Sequence, residues 1–167
     1  MNLRRSRYRL AAASAVLLAA PLLSSCGVNF GAQTIQDYNP AAGVYDRSGA
    51  VDVVNALIVS GKKGSGTVVA TLVNNDQLHA DQLKKVTAGN PRTQDITGSL
   101  AGPTKIPAGG VLDLASTGGA TVKGPTIKPG AFIPLTFKFA HAKSIVLDVP
   151  VFPHSDPVYK HVPLPQS

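Results

Sequence analysis

All nine acidic residues of this 167-residue chain are Asp; it contains no Glu and no Trp, while Val, Thr, Gly and Pro are abundant. Glu is a side chain that helices favour, whereas Val and Thr suit a pleated surface and Gly and Pro punctuate it. Such a chain has little from which to build helices, and the composition predicts an all-β fold. The order of residues agrees. VDVVNALIVS (Val51–Ser60) is an apolar run of strand length, GKKGSG (Gly61–Gly66) supplies glycines for a reversal, and TVVATLVNN (Thr67–Asn75) returns, which reads as a hairpin with a long loop. LKKVTA, QDITG and the end of IPAGGVLDL are shorter candidates, and the two runs before residue 153 are the clearest. In AFIPLTFKFA, Phe132, Thr136 and Lys138 alternate with Ile133, Leu135, Phe137 and Phe139; in SIVLDVPVF, Ile145, Leu147, Val149 and Val151 share one side. Seven to nine short strands at roughly ten-residue spacing predict a β-sandwich. With neither a cysteine pair nor a tryptophan, packing alone must hold its sheets together.

The start of the chain is different in kind. Arg4, Arg5, Arg7 and Arg9 run into LAAASAVLLAAPLL (Leu10–Leu23), which carries no charge, the layout of an export signal. At about 1.5 Å per residue this run reaches roughly 21 Å, short of the ~30 Å hydrocarbon core that a spanning helix must cross. It ends in Leu23-Ser24-Ser25-Cys26, which resembles the bacterial lipobox, in which the cysteine sulfur receives a diacylglyceryl group and the signal is cut just before it. Cys26 is the only cysteine, so no disulfide can form within the chain. Two acyl chains hold a protein on a bilayer where one does so only marginally. Arg7 and Arg9 stand where a twin-arginine signal wants apolar residues, which favours the general secretory route. The expected organisation is a signal peptide over 1–25, a tether over 26–48 ending in an early strand near Val44, a sandwich over 49–152, and a surface arm over 153–167. That arm should be extended, because of prolines 153, 157, 163 and 165.

Removing residues 1–25 takes four arginines with it and leaves 142 residues carrying 12 Lys and Arg against nine Asp, a net charge of +3. That length suits one domain. Lys62-Lys63 and Lys84-Lys85 are isolated pairs without stacking aromatics, so nothing points to nucleic acid. GKKGSG is not a phosphate-binding loop: position 56 is Ala, and Lys63 rather than Ser or Thr follows Lys62.

Catalytic residues are not found. There is no Gly-x-Ser-x-Gly elbow and no Glu for acid–base work, and an acylated Cys26 is no nucleophile. Four histidines follow the signal: His79, His141, His154 and His161. His79-Ala80-Asp81 and His154-Ser155-Asp156 each set an imidazole and a carboxylate two residues apart, on one side of an extended chain, a pairing that Cu(II) or Zn(II) accepts.

From IPAGGVLDLASTGGATVKGPTIKPGAFIPLTFKFAHAKSIVLDVPV, and from the earlier TLVNNDQLHADQLKKV, the chain resembles the PCu(A)C periplasmic copper chaperones over roughly residues 51–151. The resemblance implies an immunoglobulin-like or cupredoxin-like β-sandwich. It also implies Cu(I) held by His and Met, since thioether sulfur suits a soft ion. Here the only methionine is Met1; Thr121 and Lys123 stand where that family carries His and Met after its Gly-Gly turn, and Arg92 to Gly98 offer neither residue type. In this respect the chain is similar to actinobacterial LpqE-type lipoproteins, which carry a lipobox and lack the copper ligands. The resulting expectation is a lipid-anchored, non-enzymatic binding module outside the cell membrane, with an envelope protein or ligand as partner, no cofactor and no assigned metal ligand. The alternative is a metal chaperone using histidines, among them His154 and His161.

Overall fold

The computed structural model describes residues 42–88, 95–117 and 119–165. They form strands β1 (Val44–Asp46), β2 (Val51–Lys62), β3 (Ser65–Asn74), β4 (Asp81–Ala88), β5 (Thr97–Leu100), β6 (Lys105–Ile106), β7 (Val111–Asp113), β8 (Ala120–Lys123), β9 (Phe132–Phe139) and β10 (Ile145–Pro153), with a helical turn at Leu114–Thr117. One sheet runs β5-β8-β3-β2-β10-β9-β4-β6, with β1 added on β2 and β7 on β3. Its neighbours are antiparallel except β10, which runs parallel to β2 with Val151 opposite Ile58. The sheet curls on itself, a cupredoxin-like β architecture as expected. It has ten strands rather than seven to nine, because β1, β6 and β7 are only two or three residues long. Cys26 and the expected signal peptide lie outside the described residues.

The curl brings the far strands together at Gly98. A Cβ built there would lie 1.9 Å from the Val86 carbonyl oxygen, so β5 meets the backbone of β4 at a point where only hydrogen fits. Inside the curl lies one large core that includes Val53, Ile58, Leu72, Leu83, Leu135 and Phe137, all at most 1% exposed.

β2 contributes to both faces of its sheet. Val51 and Val53 point into the main core, as do Ala56 and Ile58, so the inward set changes from odd to even numbers. The switch occurs at Asn55, whose φ is 54°, where the pairing with β3 slips between Val54 and Leu57. One extra residue in a strand reverses every side chain beyond it. Leu57 and Val59 therefore face outward, yet both are buried, in a second cluster with Tyr159.

The expected long hairpin loop is instead a tight turn. Pairing continues to Lys62 opposite Ser65, leaving Lys63 and Gly64 at the tip, with Gly64 at φ 87°. The segment after Pro153 is not an extended arm either. Asp156, Tyr159 and Val162 each donate a backbone N–H three residues back, winding 153–162 into successive turns. Asp156 and Pro157 fill the first two positions of one of them, where Asp and Pro are favoured. Tyr159 then packs against Phe152 with ring centres 5.2 Å apart and planes inclined at 42°, Val162 packs on the Leu57–Val59 face, Thr67 Oγ1 donates to the Pro163 carbonyl, and Leu164 sits over Gly61. The outward apolar face of β2 supplies the reason: uncovered, it would leave Leu57 and Val59 in water.

Gly98→Val should lower the unfolding free energy by about 1–3 kcal/mol, the usual cost of overpacking. Urea unfolding of the full chain checks this; an unchanged midpoint would mean that β5 does not close against β4.

Candidate functional site

Two loops meet at the end of the sheet where β3 finishes and β4 and β10 begin, and each is held by one buried polar side chain. Asn74 is 2% exposed. Its Nδ2 donates to the carbonyls of His79 (2.8 Å) and Pro107 (3.1 Å), and its Oδ1 accepts from the Asp76 amide at 3.0 Å. This ties the 75–80 loop to the 107–110 turn. Asp81 is 7% exposed. Its Oδ1 accepts from the amides of Gln82 (2.6 Å), Ala140 (3.1 Å) and His141 (3.1 Å), and its Oδ2 from that of Ala142 (2.8 Å). A carboxylate at the first residue of β4 thus clasps the β9–β10 loop some sixty residues away in sequence.

Between the loops lies an open cleft of about 600 Å³, walled by Ala50, Leu78, Ala80 and Ala142 with Asp76, His79 and His141 at its polar side. Asp76 Oδ1 accepts from the amides of Leu78 and His79 at 2.8 and 3.0 Å, an Asx turn, while its Oδ2 lies 3.1 Å from His79 Nδ1. His141 Nδ1 lies 3.4 Å from Asp81 Oδ1. Both imidazoles are about four-fifths exposed, so each presents its ring to solvent with Nδ1 turned to a carboxylate.

The pairing differs from the one expected two residues apart in sequence. His79 meets Asp76, and Asp81 meets His141, because Asp81 turns inward to the loop amides. The histidines also divide. His79 and His141 flank the cleft, whereas His154 lies at the opposite end of β2, its amide bonded to the Ser60 carbonyl, and His161 lies in the terminal turns. Thr121 and Lys123 lie on β8 opposite Thr67 and Ser65 of β3, toward the hairpin tip and away from the cleft. Among the described residues no three of His, Cys, Asp and Glu gather as a metal-binding group. Sequence reasoning named Asp81 only as a partner of His79 and did not single out Asn74; that both tie loops together shows only in the fold, because their partners are distant in sequence.

Two opposed effects act on Asp81. Burial, the larger single influence, pushes its pKa up, but the amides of Gln82, Ala142 and His141, with the charge of His141, together bring it below the ordinary 3.8. A carboxyl whose folded value is depressed stabilises the fold above its unfolded value, and that contribution is lost as pH falls through the folded one. The contribution is therefore complete above about pH 5 and is lost only as pH falls through the folded value, which lies below 3.8. For Asp81→Asn we expect about 1–3 kcal/mol lower stability at pH 7, with the difference from the native chain narrowing as pH falls from about 5 through the depressed folded value. Chemical unfolding at several pH values measures this; a gap that does not depend on pH would remove the carboxylate from the account.

No protein-family model matches the chain, and no curated protein matches it. Solved structures do. It is similar to the copper-bound PCuAC domain from PmoF2 (TM-score 0.51, 15% identity, covering 66% of this chain and 98% of that one). It is also similar to the apo PCuAC domain from PmoF1 (0.51, 18%, 65% and 98%) and to the apo PmoF2 PCuAC domain (0.50, 14%, 66% and 95%). At such identities the likeness concerns the fold: the described domain is built on a PCuAC-like scaffold.

Proposed function

We propose that this chain is an envelope lipoprotein of the LpqE type, anchored through acylated Cys26, whose PCuAC-like domain serves as a non-enzymatic binding module outside the cell membrane. The reading rests on Leu23-Ser24-Ser25-Cys26, which resembles a lipobox and follows a basic and apolar start, and on the sequence resemblance that sets Thr121 and Lys123 where the PCu(A)C chaperones carry His and Met. Lys123 places a positive charge where a cation would sit. The cleft beside His79 and His141 is its binding surface, and its partner is an envelope protein or ligand. In cells given labelled palmitate, the native chain should incorporate it and Cys26→Ala should accumulate as an unlabelled precursor; equal labelling of both would remove Cys26 as the attachment point.

One observation favours a second reading, that of a metal chaperone. Each cleft histidine has a carboxylate at Nδ1, the arrangement that orients an imidazole to ligate through Nε2. Calorimetric titration of the natively processed protein with Cu(I), Cu(II) and Zn(II) separates the readings. The binding-module reading expects no stoichiometric uptake. Submicromolar binding that His79→Ala and His141→Ala abolish would replace it with the chaperone.

A further inference from the structure

The two ends of the sheet differ in charge. At the hairpin tip, Lys62 and Lys63 are exposed, Lys123 is paired with Ser65, and the 124–128 loop carrying Lys128 is tied to the tip by bonds between Gly64 and both Gly124 and Ile127. His154 joins them from the end of β10, and with Lys62 and Lys63 it lines a shallow cleft of about 430 Å³. None of these four lysines makes an ion pair among the described residues. The acidic side chains nearby are Asp95, beside Gly124, and Asp156. The other end mixes Asp46, Asp52, Asp76, Asp81 and Asp113 with Arg47, Lys84, Lys85, Lys105, Lys138 and Lys143, so acids and bases nearly balance there, whereas the tip gathers its lysines with few acids. At about 3.3 Å per residue the twelve-residue β2 separates the ends by roughly 36 Å, several times the ~8–10 Å Debye length at physiological salt, so each acts on its own surroundings.

β1 is antiparallel to β2, with Val44 opposite Ala56 and Asp46 opposite Val53, so the described chain joins the domain beside the middle of β2. The sixteen peptide units between Cys26 and Ala42 can reach at most about 55 Å. That length could bring either end to a bilayer, and charge then decides which.

We propose that the hairpin tip, formed by Lys62, Lys63, Lys123 and Lys128, is a seat for anionic phospholipid headgroups, on which the domain stands with its cleft of His79 and His141 turned away from the membrane. The proposal rests on the Cys26 anchor. A basic patch supplies the second attachment that complements acyl chains, and its pull on an anionic surface is electrostatic.

The test uses the natively processed protein reconstituted into phosphatidylglycerol–phosphatidylcholine vesicles or phosphatidylcholine vesicles, with a quencher on the headgroups. A fluorophore is placed on Thr126→Cys, in the basic loop, or on Leu78→Cys, at the far end. In anionic vesicles the label at 126 should be quenched about threefold more than that at 78. The difference should vanish in phosphatidylcholine, in roughly 0.5 M salt, and in a chain bearing Lys62→Glu, Lys123→Glu and Lys128→Glu. Equal quenching at both positions, or indifference to lipid charge, overturns the seat. So does relief of quenching by inorganic phosphate at matched ionic strength, which would mark the cluster as a free-phosphate site. Mass spectrometry of the same sample reports the anchor separately. Should the acyl group be absent, the anchor reading fails alone, and the seat is judged by co-sedimentation of the chain with anionic vesicles, where equal binding by the triple variant overturns it.

Discussion

A single left-handed residue sets the organisation of the domain. Had β2 kept strict alternation, Leu57 and Val59 would have continued the inward row of Val51 and Val53, and Ile58 would have faced water. With Asn55 at φ 54° the row shifts, and the strand feeds two apolar clusters instead of one. Asn tolerates this conformation better than other residues with a Cβ. Here it also has work for its side chain, whose Oδ1 accepts the Gly43 amide at 3.0 Å and so fixes where β1 begins. The second cluster explains why the last turns lie against the sheet. Tyr159, Phe152 and Val162 cover a face that the bulge has turned outward.

The cleft end depends on polar rather than apolar burial. Asn74 and Asp81 are each nearly inaccessible, and each spends its hydrogen-bonding capacity on backbone groups of a loop. A buried polar group must find partners, so two such side chains leave the loops few alternative arrangements. This arrangement sets Asp76 against His79 and Asp81 against His141 on the two sides of a cleft whose other walls include Asn74, alanines and Leu78. At the hairpin tip the structure is otherwise: tight turns and exposed lysines, with the β8 positions Thr121 and Lys123 belonging to that half of the sheet.

The fold can be recognised where little of the sequence is shared. The likeness to PCuAC domains lies in strand order and curl, which apolar packing maintains at 14–18% identity. Side chains at the β8 positions are half-exposed or exposed, so packing does not restrict them. Fold by itself therefore does not specify the chemistry at those positions.

The sequence by itself determined the all-β class, the inward rows of β9 and β10, and the place of most turns. These follow from local quantities: β-branched composition, alternation of period two, and glycine or proline between runs. It also showed the lipobox-like Leu23-Ser24-Ser25-Cys26 and the residues Thr121 and Lys123, since a motif is read residue by residue. Only the tertiary structure decided the rest. That the Leu57–Val59 run is buried on its second face, that prolines 153 and 157 take part in turns packed on that face, and that Asp81 serves His141 rather than His79 all depend on groups far apart in the chain. Such contacts arise when a curled sheet brings distant backbone amides and apolar faces together. No window of local sequence contains both partners, and so no local pattern could announce them.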